Sequence, residues 1–139
     1  MKREIILLRH AHAETGGPAA QDKQRGLSAR GVAEAQSAGE WLRAQSAMPT
    51  RILCSPAARA QQTLEHALGE LDARVEPRIY EATAGELDAL IDENEDAQRL
   101  LMVGHNPGFE TLVALLATGQ SGDFRGMPPG GIAWFELDG

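Results

Sequence analysis

The chain has 139 residues, a formal net charge of −7 and one cysteine, Cys54. This length suits a single domain, residues 1–139, and no apolar stretch approaches the ~18–20 residues that a membrane helix needs. The acidic balance argues against nucleic acid as a partner, because binding its phosphates requires a broad basic surface. A lone cysteine within an apolar run excludes an internal disulfide and fits a reducing compartment. We therefore expect a cytoplasmic protein that is not attached to a membrane.

A buried strand at residues 5–8 is the first predicted element, and an Arg-His pair stands at its carboxyl end. The strand is predicted because a short apolar run, Ile-Ile-Leu-Leu, lies between charged residues. Ligands of open α/β sheets bind just outside the carboxyl ends of the strands, where Arg9 and His10 lie. An imidazole nitrogen there can attack phosphorus while the guanidinium neutralises charge on the phosphoryl oxygens. The structural alternative is a strand-end pair that hydrogen-bonds loop carbonyls.

A second apolar strand, at residues 52–54, leads into a predicted helix. We predict Ser55 as the N-cap of this helix and Pro56 as its first residue, because these residue types favour those positions. Arg59 then falls in the first turns, beside free backbone N–H groups and the positive end of the helix dipole. A phosphate would be held there. The alternative for Arg59 is a solvated side chain on the helix surface.

A third apolar strand, at residues 100–103, precedes Gly104 and His105, and Pro107 is predicted to open another helix. Glycine lets backbone or ligand approach closely at this turn. Since parallel strands bring their carboxyl ends to one edge of a sheet, we expect the polar side chains of all three strand ends to meet. These side chains are Arg9, His10, Arg59 and His105.

Helices and strands alternate between these motifs. Ser28 is predicted to cap a helix that runs to about Gln45, and Thr83 begins a capping box before another helix. A weak strand at residues 75–77 contains a proline, which indicates an edge position, and residues 132–137 form a final strand. This alternation predicts an α/β fold with three layers, α/β/α, around a mostly parallel central sheet.

Four segments of the chain resemble, in order, the motifs of one known family. They are Leu-Arg-His-Ala at 8–11, Asp-Lys-Gln-Arg-Gly-Leu-Ser-Ala-Arg-Gly at 22–31, Ser-Pro-Ala-Ala-Arg-Ala-Gln-Gln-Thr at 55–63 and Val-Gly-His-Asn-Pro-Gly at 103–108. The chain resembles the histidine phosphatase superfamily and, within it, the short SixA-type phosphohistidine phosphatases. It departs from the family in two places. Ala11 stands where glycine is more frequent, and residues 127–131 lack the hydroxyl residue of many relatives.

The resemblance implies a metal-independent phosphatase that needs no cofactor and works through a covalent phosphohistidine. His10 would be the nucleophile, while Arg9, Arg59 and His105 would bind the phosphoryl oxygens and stabilise their charge. The expected partner is a phosphohistidine-bearing protein of a signalling or phosphotransfer system, or a small phosphorylated substrate. The short chain has no evident lid insertion, which favours an open site suited to a protein surface.

Three further residues are candidate substrate contacts. Arg25 is interpreted as a cation that faces the substrate or supports the site, and His12 as either a pocket wall or a loop residue. Glu81 follows a short apolar run where longer superfamily members supply an acid, so it is either that acid or a loop carboxylate. Asp22, near Arg25, is predicted to be structural.

Three other functions stay open at this point. A phosphatase of this fold could act on small phosphate monoesters instead of phosphohistidine. His10 and His12 form a His-x-His, which supplies two metal ligands in some hydrolases, although the neighbouring arginines would repel a divalent cation. A non-catalytic phosphate-binding module could also use the same fold and the same residues.

Overall fold

The computed structural model describes residues 2–15, 19–69, 72–118 and 127–138, and it contains a five-stranded sheet. The strands are β1 (Lys2–Arg9), β2 (Arg51–Cys54), β3 (Arg74–Val75), β4 (Arg99–Gly104) and β5 (Ile132–Asp138). Their spatial order is β3-β2-β4-β1-β5. Neighbouring strands are parallel except β5, which runs antiparallel to β1.

Two pairs of helices cover the sheet, one pair on each face. The helices are α1 (Ala29–Ala44), α2 (Ala58–Leu68), α3 (Ala84–Glu93) and α4 (Gly108–Thr118), with 3₁₀ turns at Ala19–Gln24 and Pro77–Ile79. The pair α1 and α2 packs over one face, and α3 and α4 over the other. The predicted three-layer α/β/α fold with a mostly parallel sheet is confirmed. That residues 1–139 form a single domain stays a prediction.

The apolar residues of β1 face two separate cores. Ile5 and Leu7 belong to the core under α3 and α4, whereas Ile6 and Leu8 belong to the core under α1 and α2. All four are fully buried, and each such side chain contributes roughly 1.5–3 kcal/mol to stability. Because helices cover both faces of the strand, its sequence is continuously apolar rather than alternating. Within the described ranges, no helix is long and apolar enough to cross a membrane.

The register of the sheet aligns the carboxyl ends of β1, β2 and β4. Cys54 of β2 pairs with Val103 of β4, and β1 pairs with β4 as far as Gly104. The backbone hydrogen bonds continue one residue further on both sides of β4. His10 N–H donates to Gly104 O, and Ser55 N–H donates to Val103 O. The residues that follow the three strands are therefore held side by side.

Two predicted helix starts, the predicted edge strand and the predicted final strand are confirmed. The Ser28 hydroxyl accepts a hydrogen bond from Gly31 N–H at the start of α1, which ends at Ala44. Thr83 and Glu86 form the predicted capping box of α3. The weak strand is β3 at one edge of the sheet, and the final strand is β5 at the other.

The start of α2 differs from the prediction. Ala57 occupies the N-cap position, so Ser55 and Pro56 both lie before the helix. The reason is that Ser55 still belongs to the sheet through its bond to Val103, and the chain needs further residues to turn into the helix axis. The Ser55 hydroxyl accepts a hydrogen bond from Ala57 N–H inside this turn. Helix α4 likewise begins one residue after its predicted proline.

A close backbone contact between α1 and α2 requires glycine at position 39, and this yields a stability prediction. A Cβ on Gly39 would lie 1.8 Å from Ala67 O. We expect Gly39→Ala to lower the free energy of unfolding by about 1–3 kcal/mol or more, because the packed helices must move apart. Gly85→Ala in α3 is the matched control, since a Cβ there meets nothing nearer than 3.9 Å. Denaturant unfolding measures both variants, and equal effects would contradict the close contact.

Candidate active site

The side chain of His10 is fixed by a hydrogen bond to its own neighbour. His10 Nδ1 lies 2.8 Å from Ala11 O. A carbonyl oxygen only accepts hydrogen bonds, so Nδ1 carries the proton of the neutral ring and Nε2 keeps a free lone pair. Ala11 is held in turn, because its N–H donates to Thr63 Oγ1 of α2 over 2.9 Å. This arrangement leaves Nε2 available as a nucleophile.

The surroundings of His10 keep its imidazole neutral. Burial is the largest cause and lowers the pKa of His10 to about 4, against the opposing effect of the Ala11 hydrogen bond. The positive charges of Arg59 and Arg9 lower it further. An unprotonated imidazole is the form that can attack phosphorus, because protonation would occupy the Nε2 lone pair.

The two arginines of the site are each held by a backbone carbonyl. Arg9 Nη1 donates to Met127 O over 2.7 Å. Arg59 Nη1 donates to Asp22 O over 2.8 Å, and its Nη2 donates to Asp22 Oδ2 over 3.1 Å. Arg59 is only 6% exposed although it carries a full charge. Both guanidinium groups are thus oriented by hydrogen bonds from their Nη atoms, while their Nε–H groups have no hydrogen-bond partner.

His105 lies directly beside His10. The two ring centroids are 5.1 Å apart, and His105 Nε2 lies 2.7 Å from Ser55 Oγ. Burial, followed by the influence of His10 and Arg59, lowers the pKa of His105 to about 3. The preceding Gly104 has no room for a side chain, because a Cβ there would lie 2.7 Å from atoms of two packed residues. Glycine therefore permits the tight packing beneath the histidine.

Three buried nitrogens have no hydrogen-bond partner, and all three belong to the predicted site. They are Arg9 Nε, Arg59 Nε and His105 Nδ1, and the described residues contain no other buried side-chain nitrogen or oxygen without a partner. Buried polar groups in native proteins are normally paired, so such a group calls for an explanation. A phosphoryl group offers three oxygen acceptors. The arrangement can therefore hold one phosphoryl group next to His10.

Asp22 connects several of the side chains around this site. Its carboxylate accepts hydrogen bonds from Arg59, from Arg25 Nη2 over 3.1 Å, and from the Tyr80 hydroxyl in a short contact. The Tyr80 bond is the largest cause that lowers the pKa of Asp22 to about 2. The Tyr80 ring in turn packs edge-on against His105, with 5.7 Å between the centroids. Asp22 thus stays ionised and braces one wall of the site.

The structure places the three secondary candidates in different surroundings. Arg25 lies near the site, since it bonds Asp22 and also lowers the pKa of His10. His12 lies in the loop before α1, where its Nδ1 contacts Ser28 Oγ over 2.6 Å. Glu81 is exposed, has a φ of 58° and lines a cavity next to Arg59. Their roles stay predictions.

A cavity of about 460 Å³ adjoins two of the predicted site residues, Arg59 and His105. Arg59 and His105 form part of its wall, and Tyr80, Glu81 and Pro107 form much of the rest. Its volume exceeds that of an imidazole ring or a short alkyl chain. This cavity is therefore the place where the part of a substrate beyond its phosphoryl group can lie.

The surroundings of His10 and His12 bear on the metal alternative. Across the described segments, no group of three or more His, Cys, Asp or Glu side chains is arranged to hold a metal ion. His12 Nδ1 is engaged with Ser28 Oγ, and His10 Nδ1 with a carbonyl. Each histidine of the His-x-His thus has its Nδ1 in a separate hydrogen bond.

Comparison with known proteins identifies the family. The sequence model of the histidine phosphatase superfamily (branch 1) matches residues 5–117. The chain belongs to this superfamily. An uncharacterized protein of Mycobacterium tuberculosis is 38% identical over 109 residues, which are 77% of this chain and 69% of that protein. The phosphohistidine phosphatase SixA of Escherichia coli is 31% identical over 125 residues, 85% of this chain and 76% of SixA.

Solved structures of SixA proteins have the same fold and superpose on most of the length of this chain. A SixA candidate from Agrobacterium tumefaciens superposes with a TM-score of 0.83 at 29% identity, covering 98% of this chain and 96% of that chain. A protein histidine phosphatase SixA complexed with tungstate has a TM-score of 0.80 at 29% identity, with coverages of 94% and 86%. The predicted resemblance is confirmed, and the comparisons support a phosphatase.

Two residues of the site were missed by the sequence prediction. Ser55 was interpreted as a helix cap, yet its hydroxyl contacts His105. Tyr80 was treated as part of a short apolar run, yet it bonds Asp22 and packs on His105. A serine directly after a strand that ends at the site is a signal that could have indicated the first role. No local signal indicates the second.

The lowered pKa of His10 can be tested by titration. The ring should stay neutral down to about pH 4, because burial and Arg59 disfavour the imidazolium. Proton NMR follows the ring signals of His10, which are assigned by their loss in His10→Asn. Since an unfolded histidine titrates near pH ~6.5, this group contributes stability above that pH and loses it as the pH falls towards about 4. A midpoint near 6.5 in the folded protein would contradict the burial argument.

Tyr80 reports directly on Asp22, because it is the single tyrosine of the chain. Its hydrogen bond to the ionised carboxylate raises the pKa of the phenol. Asp22→Asn should therefore move tyrosine ionisation to lower pH, which ultraviolet absorbance measures without assignment. Glu40→Gln, at an exposed carboxylate of α1, is the control and should leave the titration unchanged. An unchanged midpoint in Asp22→Asn would show that the contact does not persist in solution.

Proposed function

We propose that this protein is a phosphohistidine phosphatase that works through a phosphoryl group carried on His10. The observation that carries the proposal is the set of three unpartnered buried nitrogens, Arg9 Nε, Arg59 Nε and His105 Nδ1. Two guanidinium N–H donors and a ring nitrogen that donates in one of its two tautomers suit an anion with three terminal oxygens. Since the chain supplies a free imidazole nitrogen at the same place, the anion is one that can react.

The reaction proceeds in two steps. His10 Nε2 attacks phosphorus in line, the P–N bond of the substrate breaks, and its electron pair stays on the leaving imidazole nitrogen, which takes a proton from water. Arg9, Arg59 and His105 hold the three equatorial oxygens while charge spreads over them. Water then attacks the phosphorus on His10, and the new P–N bond breaks with its electron pair returning to Nε2. The proton that the attacking water loses neutralises the hydroxide left by the first step, and inorganic phosphate leaves. Each step exchanges one phosphorus bond for another.

The exposure of Glu81, the candidate acid of the site, favours a nitrogen leaving group. Expulsion of an alkoxide without protonation is costly, and a well-placed acid typically contributes roughly 10²–10⁴-fold. Glu81 is the carboxylate of the cavity wall that is free of the Asp22 network, and it is exposed. An imidazole leaves more easily than an alkoxide, so an exposed carboxylate suffices. The likeness to the phosphohistidine phosphatase SixA of Escherichia coli supports the same substrate class. The tungstate complex of a SixA protein supports a site for a phosphate-like oxyanion, which both substrate classes require.

Hydrolysis of small phosphate monoesters is the second candidate, and the position of Glu81 favours it. A carboxylate at the mouth of the cavity could protonate an alkoxide there. A phosphohistidine-bearing protein of a signalling or phosphotransfer system is the partner under the first proposal. A cytoplasmic location, which the single buried cysteine Cys54 fits, belongs to that proposal as well.

The function is tested by trapping the intermediate and comparing two substrate classes in EDTA. With phosphohistidine as substrate, the protein should form a base-stable, acid-labile phosphoryl adduct. The His10→Ala variant should form none, while His66→Ala, at an exposed histidine of α2, should behave as the unchanged protein. Equal adduct on His10→Ala would refute the nucleophile. Binding of phosphate without any turnover would instead support the non-catalytic phosphate-binding module.

The two substrate classes are separated by kcat/KM. Phosphohistidine should be turned over faster than glycerol phosphate, and Glu81→Gln should depress hydrolysis of the ester more than that of phosphohistidine, because only the alkoxide needs an acid. Faster hydrolysis of glycerol phosphate would favour the monoester phosphatase. Loss of activity in EDTA would defeat the metal-free mechanism.

A further inference from the structure

Ser55 is placed beside His105 by the register of two parallel strands. Cys54 pairs with Val103, and Ser55 N–H donates to Val103 O, so the residue after β2 adjoins the residue after β4. Ser55 is fully buried. Its hydroxyl oxygen lies 2.7 Å from His105 Nε2 and accepts the N–H of Ala57 over 3.2 Å. The serine side chain is therefore held on both sides.

The positions of the hydrogens on the Ser55 hydroxyl and the His105 ring follow from which nearby atoms can donate and which can accept. If His105 Nε2 carried the proton, it would donate to Ser55 Oγ, and the buried hydroxyl hydrogen would have no acceptor among the described residues. His105 Nδ1 would then be a bare lone pair, which repels phosphoryl oxygens. If the hydroxyl donates to Nε2 instead, the serine hydrogen is satisfied and Nδ1 carries the single proton of the ring. The Nδ1–H of His105 is then a donor without an acceptor in the protein, and an oxyanion can accept its hydrogen bond.

We propose that Ser55 is a positioning residue that donates to His105 Nε2 and fixes the ring in the tautomer with hydrogen on Nδ1. This inference rests on the proposed phosphoryl transfer, because it explains how His105 serves that reaction. The single N–H of the neutral ring is thereby placed on Nδ1, the ring nitrogen that has no partner among the described residues, and is left for a phosphoryl oxygen.

The neutrality of His105 makes the tautomer decisive. Burial and the nearby Arg59 keep the ring unprotonated at neutral pH, so it has one N–H to offer rather than two. An imidazolium would donate from both nitrogens and would need no serine to choose between them. Ser55 thus determines whether His105 presents a donor or an acceptor to the substrate.

The tautomer of the His105 ring is the decisive measurement, because a serine with a purely structural role would not change it. Nitrogen-15 NMR of the protein without substrate distinguishes a protonated ring nitrogen from a bare one. At pH 7 His105 should show a protonated Nδ1 and a bare Nε2, with signals assigned by their loss in His105→Asn. Ser55→Ala should yield a mixture of tautomers. A protonated Nε2 in the unchanged protein would overturn the proposal, even if Ser55→Ala failed to fold.

Kinetics provide the second arm of the test. Ser55→Ala should lower kcat by about 10- to 100-fold with little change in KM, less than the roughly 10²–10³ expected for removing an oxyanion donor itself. Asn94→Ala is the stability-matched control, because it also removes a buried hydrogen bond but lies at the opposite end of β2. It should keep kcat.

The outcomes separate this inference from the proposed function. An unchanged tautomer and an unchanged kcat in Ser55→Ala would refute the role of the serine and leave the phosphatase intact. Conversely, a fixed Nδ1–H tautomer in a protein that turns over no phosphohistidine would leave the hydrogen-bond assignment intact and refute the function.

Discussion

Two backbone hydrogen bonds, one on each side of β4, place the residues that follow β1 and β2 next to those that follow β4. His10 N–H reaches Gly104 O from one side, and Ser55 N–H reaches Val103 O from the other. Each bond extends the strand pairing by one residue beyond the sheet, which fixes the distance between the segments that follow the strands. His10, Ser55 and His105 are thus positioned by the β-sheet, although all three lie just outside its strands.

Burial and charge act in the same direction on the two histidines. A chain with a net charge of −7 places Arg9 and Arg59 against imidazoles that are taken out of water. Both effects disfavour imidazolium, so the site keeps nitrogen lone pairs and selected N–H groups while the arginines supply the positive charge. Local composition, not net charge, therefore decides which ligand the pocket can hold.

Local patterns predict the helices and strands, and the alignment of parallel strands predicts that residues such as His10 and His105 lie together. Individual side-chain hydrogen bonds between distant residues could not be predicted. The apolar run of β1 and the cap at Ser28 follow from local patterns and are present in the structure. Ser55 before a proline is typical of a helix start, but its hydroxyl is engaged by a residue 50 positions away. The bond between Tyr80 and Asp22 spans 58 positions. Periodicity and capping rules contain no information about such pairs.

The position of β1 in the sheet has a consequence for how the protein is made. β1 is the earliest of the five strands to be synthesised, yet its two neighbours, β4 and β5, are the last. Arg9 N–H donates to Gly131 O, just before β5. On a ribosome, the apolar strand and its histidine emerge long before any partner exists for them. A nascent chain that lacks β4 and β5 therefore leaves the apolar run of β1 without its strand neighbours until the last part of the chain is synthesised.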